Sequence, residues 1–268
     1  MKTRLDKLMV ERGLTPSRER AQALILAGKV LVNEQKIEKA GAAVESDAAL
    51  RLLGDDLRYV SRGGLKLEKA LAHWGIELAG KLCLDIGAST GGFTDCMLQH
   101  SARRVIAVDT GYGQMDFRLR SDPRVQLLEK TNARYLTAGD LSAAKAASGE
   151  SADTVNFLAM DVSFISATLV LPAVIRAAFG AARSSPGQSV ILVKPQFEVG
   201  REWVGKGGIV RDESAQQFAL TKVEAALRDL GCGHTDSIES PILGAEGNRE
   251  FLLYGEFLPG ESLPAPRE

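Results

Sequence analysis

Cysteine is scarce: the 268 residues hold three, Cys83, Cys96 and Cys232, all in apolar stretches and without metal-ligand spacing. That excludes a disulfide framework, supports no zinc site and suits a reducing, cytoplasmic location. A secretion signal is also missing, because Met1-Lys2-Thr3-Arg4-Leu5-Asp6-Lys7 mixes charges where a continuous apolar segment would be needed. No apolar run is long enough to cross a bilayer. The longest candidate, Ile165 to Ala182, is interrupted by Pro172 and Arg176 and reads as a helix with one buried face. Net charge is nearly absent as well, and a value of −1 by itself predicts no polyanionic partner.

What is present is ordinary in amount and uneven in placement. Hydrophobic residues at 45% and charged residues at 25% describe a folded chain, long enough for one large α/β domain and a small appendage. Residues 1–39 carry nine Lys/Arg against five Asp/Glu, so positive charge is concentrated at the front. Leu5, Leu8 and Met9 share one face of a short helix that stops at Gly13. Thr15-Pro16-Ser17 opens a second helix, with capping hydroxyls and a proline suited to its first turn, and Gly28 closes it. Two short β segments joined by a polar turn follow in Lys29 to Ile37. On charge alone this helix-helix-hairpin module is a solvated surface or an RNA-binding face.

Farther on, Leu82 to Ile86 reads as a buried strand that breaks into the turn Gly87-Ala88-Ser89-Thr90-Gly91-Gly92-Phe93 and then a helix. Glycines there let a ligand approach the backbone at the carboxyl end of a strand. A dinucleotide fingerprint is disfavoured, because Ser89 stands where the middle glycine belongs, and no Gly-Lys-Ser/Thr ends the turn as a P-loop requires. A nucleoside lacking phosphates remains. Asp85 before the turn and Asp109 after the strand Arg104–Val108 fit S-adenosylmethionine, with Asp109 placed to accept the ribose hydroxyls. Further strands at Val125–Leu128, Val155–Met160, Val190–Val193 and Phe251–Tyr254, with helices between them such as Asp212–Leu230, predict a doubly wound, mostly parallel sheet. Asp161 and Lys194 then fall at carboxyl ends of strands on the edge that carries the glycine turn, with Lys66 and Glu250 as two further charges able to reach it. Each of these charges, taken singly, is more often a solvated or structurally paired residue than a catalytic one.

Two routes of methyl transfer lack their residues. No cysteine follows a proline, as carbon methylation of cytosine needs, and Asp161-Val162-Ser163-Phe164 replaces the Asp/Asn-Pro-Pro-aromatic clamp of amine methylation. A ribose hydroxyl needs its proton removed, a task for lysine.

Arg4 through Asn33 closely resembles the S4 RNA-binding module, which implies docking on structured RNA through Arg4, Lys7, Arg18, Arg20 and Lys29. The whole chain, from about residue 3 to 257, resembles the haemolysin-A-like (TlyA) ribosomal RNA methyltransferases, whose catalytic domain is similar to the FtsJ/RrmJ 2'-O-methyltransferases. The stretches that carry this are Val60-Ser61-Arg62-Gly63-Gly64-Leu65-Lys66-Leu67, Asp85 to Asp95, Val193-Lys194-Pro195-Gln196-Phe197-Glu198 and Gly247-Asn248-Arg249-Glu250. The resemblance implies a Rossmann-like methyltransferase domain behind a small α+β S4 domain. It also implies a Lys66-Asp161-Lys194-Glu250 tetrad, with Lys194 as base, acting on a ribose 2'-oxygen, often of cytidine. Asn132 is assigned to the adenine side. Expected boundaries are 1–57 for the S4-like domain, 58–64 for a linker, with Gly54-Asp55-Asp56 as a turn before it, and 65–268 for the methyltransferase domain. Expected partners are ribosomal RNA or ribosomal subunits, without metal or membrane, and a monomer is the default. Two other readings stay open: an S4-type assembly factor with no activity, and a membrane-active lysin, which the absent leader and absent cationic amphipathic segment disfavour. The loop Gly200 to Gly208, glycine-rich and basic around Trp203, reads either as a flexible loop or as an RNA clamp.

Overall fold

The computed structural model describes residues 2–15, 17–53, 58–147, 154–180, 186–244, 247–260 and 263. It divides into two compact units, Met1–Arg58 and Tyr59–Glu268. The proline at 16 and the turn expected at Gly54-Asp55-Asp56 lie outside the described residues.

In the small unit, β1 (Lys2–Arg4) leads into α1 (Leu5–Glu11), followed by α2 (Arg18–Leu26), β2 (Val30–Val32), β3 (Gln35–Lys36), β4 (Ala43–Glu45) and β5 (Leu50–Leu52). Ser17 caps α2 by accepting from the Arg20 N–H at 3.2 Å, as its hydroxyl predicts. The β2–β3 hairpin turns through Asn33 and Glu34, both left-handed at φ 49° and 64°, the conformation that matches strand twist in a two-residue turn. β5 adds a third strand beside β2, and β1 pairs antiparallel with β4. Leu5, Leu8, Met9, Ile25, Val30 and Val32 fill the core between helices and strands.

The large unit runs α3 (Gly63–Trp74), β6 (Leu82–Ile86), α4 (Gly92–Gln99), β7 (Arg104–Val108), α5 (Phe117–Arg120), β8 (Val125–Leu128), α6 (Ala138–Ala147), β9 (Phe157–Met160), α7 (Ala167–Phe179), β10 (Gly187–Val193), α8 (Pro195–Glu198), α9 (Glu213–Asp229), β11 (His234–Glu239) and β12 (Phe251–Phe257). Seven strands form one sheet in the order β11-β12-β10-β9-β6-β7-β8. β10, β9, β6, β7 and β8 run parallel, while β12 is antiparallel to both its neighbours. The parallel strands are apolar because helices cover both faces. Leu84, Ile86, Met160, Val174 and Val223 pack on one side, and Leu67, Leu71, Phe93, Met97 and Phe157 on the other. The chain crosses over between β6 and β9, so a crevice opens at their carboxyl ends, which is where an open α/β sheet places its ligand. Residues 59–64, expected as linker, pack inside this unit: Tyr59 is buried against Gly64, and the Val60 N–H donates to Asp95 Oδ2 at 2.8 Å.

Candidate active site

Two cavities share a wall at this crevice. The first, about 380 Å³, is lined by the glycine turn, the start of α3 and the loops after β9 and β10, and all four tetrad candidates face it. Lys66 comes from the first turns of α3 and Glu250 from the residue before β12; Lys66 Nζ lies 2.5 Å from Glu250 Oε2, both side chains buried. Lys194, directly after β10, lies 2.5 Å from Asp161 Oδ1 and donates to Ser163 Oγ at 2.7 Å. The four charges are thus two lysine–carboxylate pairs, each joining elements distant in sequence. Lys66 and Glu250 meet the condition on which buried charges persist, being paired and hydrogen-bonded, whereas Asp161 is only half-buried beside Lys194.

The second cavity, about 430 Å³, lies over the ends of β6, β7 and β9. Gly87, Ser89, Asp161, Ser163 and Phe164 line both cavities. Gly87 holds φ +83°, and a β-carbon there would collide with the Asp161 carbonyl, so only glycine lets the two loops close. Ser89, at the position of the absent middle glycine, is itself left-handed at φ +48°, and its N–H donates to Asp109 Oδ2 at 2.8 Å. The other Asp109 oxygen accepts from Gly111 N–H at 2.6 Å, which fixes the carboxylate at the cavity edge with lone pairs to spare. Asn132 lines the same cavity and holds its loop by accepting from Arg134 N–H. Ala88, Thr90, Gly92 and Phe93 line the first cavity.

Asp85 and Gly91 line neither cavity. Asp85, the penultimate residue of β6, is fully buried beneath the turn, where Oδ2 accepts from Thr94 Oγ1 at 2.6 Å and Oδ1 has no hydrogen-bond partner among the described residues. Burial is the largest cause that pushes its carboxyl up to about 7; the Thr94 hydrogen bond opposes it and the charge of Asp161 adds to it. Gly91 is the left-handed residue before α4 at φ +95°, and its role is the turn. Ser163 and Phe164 were not singled out from the sequence. Phe164 is 91% exposed with φ +65° at the mouth of both cavities, 5.5 Å from the Phe197 ring.

The basic residues of the small unit are less free than their count suggests. Arg4, Arg18 and Gln22 all donate to Asp6, at 3.0 and 2.8, 3.1 and 2.8 Å, and that carboxylate is fully buried. Chiefly the Arg4 hydrogen bond holds the Asp6 carboxyl well below the usual range. Lys7 pairs with Glu11 at 3.4 Å, Arg20 is half-buried and Lys29 is exposed. Trp203, in a short 3-10 turn, is 47% exposed; Asn248 pins the glycine-rich loop behind it, accepting from Val210 N–H and donating to the Gly208 carbonyl.

Comparison with known proteins adds an independent line. The FtsJ-like methyltransferase model matches residues 59–257, and the S4 domain model matches residues 3–49. A Mycobacterium tuberculosis protein named 16S/23S rRNA (cytidine-2'-O)-methyltransferase TlyA is 42% identical over 254 residues, covering 94% of this chain and 89% of the relative. Hemolysin A of Brachyspira hyodysenteriae is 39% identical over 251 residues, covering 94% and 98%. A solved structure from Streptococcus thermophilus, described as a candidate hemolysin, matches with a TM-score of 0.69 at 42% identity over 97% of this chain and 90% of that one.

Proposed function

Because this chain belongs to the FtsJ-like methyltransferase family, we propose that it methylates a ribose 2'-hydroxyl, of cytidine, in ribosomal RNA, with S-adenosylmethionine as methyl donor. The observation that carries this reading is the pair of adjoining cavities: one lined by Asp109, Asn132 and the glycine turn, the other by two lysine–carboxylate pairs. The first set fits a nucleoside, since a carboxylate accepts from ribose hydroxyls and a glycine turn allows close contact. Bound there, S-adenosylmethionine supplies a methyl carbon carried on a positively charged sulfur.

The protein's own task is to align the hydroxyl and take its proton. Lys194 is the base: its Nζ, held by Asp161 and Ser163, receives the proton as the oxygen becomes the nucleophile. An ammonium has no lone pair to offer, so the proton is taken by the neutral amine form of Lys194. Lys66 and Glu250 face the same cavity and hold the ribose in line. The small unit, residues 1–57, anchors the RNA through phosphate contacts from Arg4, Lys7, Arg18, Arg20 and Lys29, and the protein works as a monomer in the cytoplasm.

The direct test is transfer of labelled methyl to ribosomal subunits and to free ribosomal RNA, with the label mapped by nuclease digestion. Label in an alkali-resistant dinucleotide is the expected result. Tight binding of RNA and cofactor with no transfer to any substrate would replace this reading with that of an assembly factor.

A further inference from the structure

The loops that carry Asp161 and Lys194 are joined a second time, at their far ends, by a carboxylate that touches neither cavity. Glu198 closes α8, one turn after Lys194, and is buried. Its Oε2 accepts from Ser166 Oγ at 2.5 Å and its Oε1 from Ala167 N–H at 2.6 Å, both at the start of α7, where the loop from Asp161 ends. Lys222 of α9 completes the set, 3.4 Å from Oε2 and donating to the Glu198 carbonyl at 2.8 Å. A carboxylate at a helix N-terminus with two hydrogen-bond donors and an ion pair is strongly held, and loss of any one leaves a buried charge short of a partner. Between this clasp and the reacting end stand the Phe164–Phe197 ring contact and the Lys194–Ser163 hydrogen bond. The two loops therefore have few ways to shift independently.

We infer that Glu198 is a positioning residue: by clasping the start of α7 to the end of α8, it sets the separation of the two loops and so seats Lys194 Nζ on Asp161 and Ser163. This rests on the assignment of Lys194 as base. It is distinct from a stability role, because the clasp lies on the two segments whose spacing the ion pair needs. Misplacement of a reacting group by about 1 Å costs on the order of 100-fold in rate.

The test compares Glu198→Gln, Ser166→Ala and a control, Phe257→Leu, with wild type in steady-state methyl transfer across pH, together with a crystal structure of Glu198→Gln. Phe257 is buried at the opposite end of the sheet, paired with Gly187, so its variant loses stability without touching either loop. Glu198→Gln should lower kcat roughly 10- to 100-fold, leave KM for both substrates within about threefold, and displace the pH–rate profile. Ser166→Ala should act the same way more weakly, about 3- to 10-fold, and it carries the test if the glutamine variant does not fold. Phe257→Leu should keep the wild-type kcat and profile. In the crystal, Lys194 should have left Ser163. Unchanged kcat and profile in both loop variants, or a Glu198→Gln structure in which Lys194 keeps both contacts, overturns the inference. Failure of the wild-type protein to methylate any RNA instead removes the function proposed above, and the variant structure then decides the positioning role alone.

Discussion

Each unit of the chain buries an aspartate completely, and the two are treated in opposite ways. Asp6, in the small unit, is surrounded by donors from Arg4, Arg18 and Gln22 and stays charged at little cost. Asp85, in the large unit, has one hydroxyl partner, an oxygen with none among the described residues, and acidic neighbours in Asp161 and Asp109. The first arrangement uses charge to build a fold from helices too short to be stable alone. The second leaves a carboxyl desolvated among other acids beneath the glycine turn, a perturbed group of the kind typical of sites that bind or transform a ligand. The lesson is that a charged residue's task is read from its partners rather than its burial.

The largest expected effect tests the large unit's half of that contrast. Lys194→Ala should reduce methyl transfer by about 10²- to 10⁴-fold while the unfolding transition stays near that of wild type, because catalysis loses the proposed base and the fold loses one half-buried ion pair. Parallel loss of stability and rate would make Lys194 a structural residue and erase the contrast. In the small unit the opposite signature is expected from Asp6→Ala. Hydrogen exchange resolved by peptide should show residues 2–45 destabilised by roughly 1–3 kcal/mol, with the large unit unchanged and transfer to RNA reduced through docking.

A pH series sharpens the comparison further, since the two aspartates carry opposite signs. Asp6 has a lowered carboxyl, so its stabilisation is present above the unfolded value of about 4 and is lost as pH falls below it. Asp85 is raised to about 7, so the folded state binds the extra proton and stability falls as pH rises from about 4 to 7. Asp85→Asn should therefore gain on wild type across that window, by at most about 1.4 kcal/mol per pH unit, and gain nothing more above it. Exchange rates of the two units measured from pH 3 to 8 check both signs; slopes of the same sign would refute the assignment.

How much of this was legible in the sequence depended on what each residue had to face. β6, β7, β9 and β10 are buried on both faces and stood out as apolar runs, and β12 shares the apolar pattern. β11 escaped notice because it is the sheet's edge strand, spelled His-Thr-Asp-Ser-Ile-Glu, with half its residues in solvent. β4 and β5 are three residues each, too short for a period to show. The glycine turn, Asp161 and Lys194 stood at the ends of strands, while Lys66 and Glu250 were implied by the family resemblance and their pairing appears only in the structure. Their supports were not: Glu198 meets Ser166 across 32 residues, and no spacing rule links the loops of two parallel strands. Asp85 illustrates the converse. Its place in an acid-before-glycine motif suggested a face on the ligand, whereas strand alternation put it under the turn.

The smallest effect separates the two uses of charge within the small unit itself. Arg18 is bound to Asp6, whereas Lys29 is exposed at the start of β2, yet both stand in the proposed RNA face. If phosphate contact were their common role, Arg18→Ala and Lys29→Ala would each weaken RNA binding a few-fold and each reduce the slope of log affinity against log salt by about 0.7 to 0.9. The structure predicts a difference. Lys29→Ala should show that salt signature with hydrogen exchange unchanged, because its ammonium has no partner among the described residues. Arg18→Ala should also speed exchange around Asp6, since the carboxylate loses one of its three holders. Binding measured at several salt concentrations, with exchange on the same samples, distinguishes the two. Identical behaviour would mean that Arg4 and Gln22 suffice to hold Asp6, and that Arg18 serves the RNA alone.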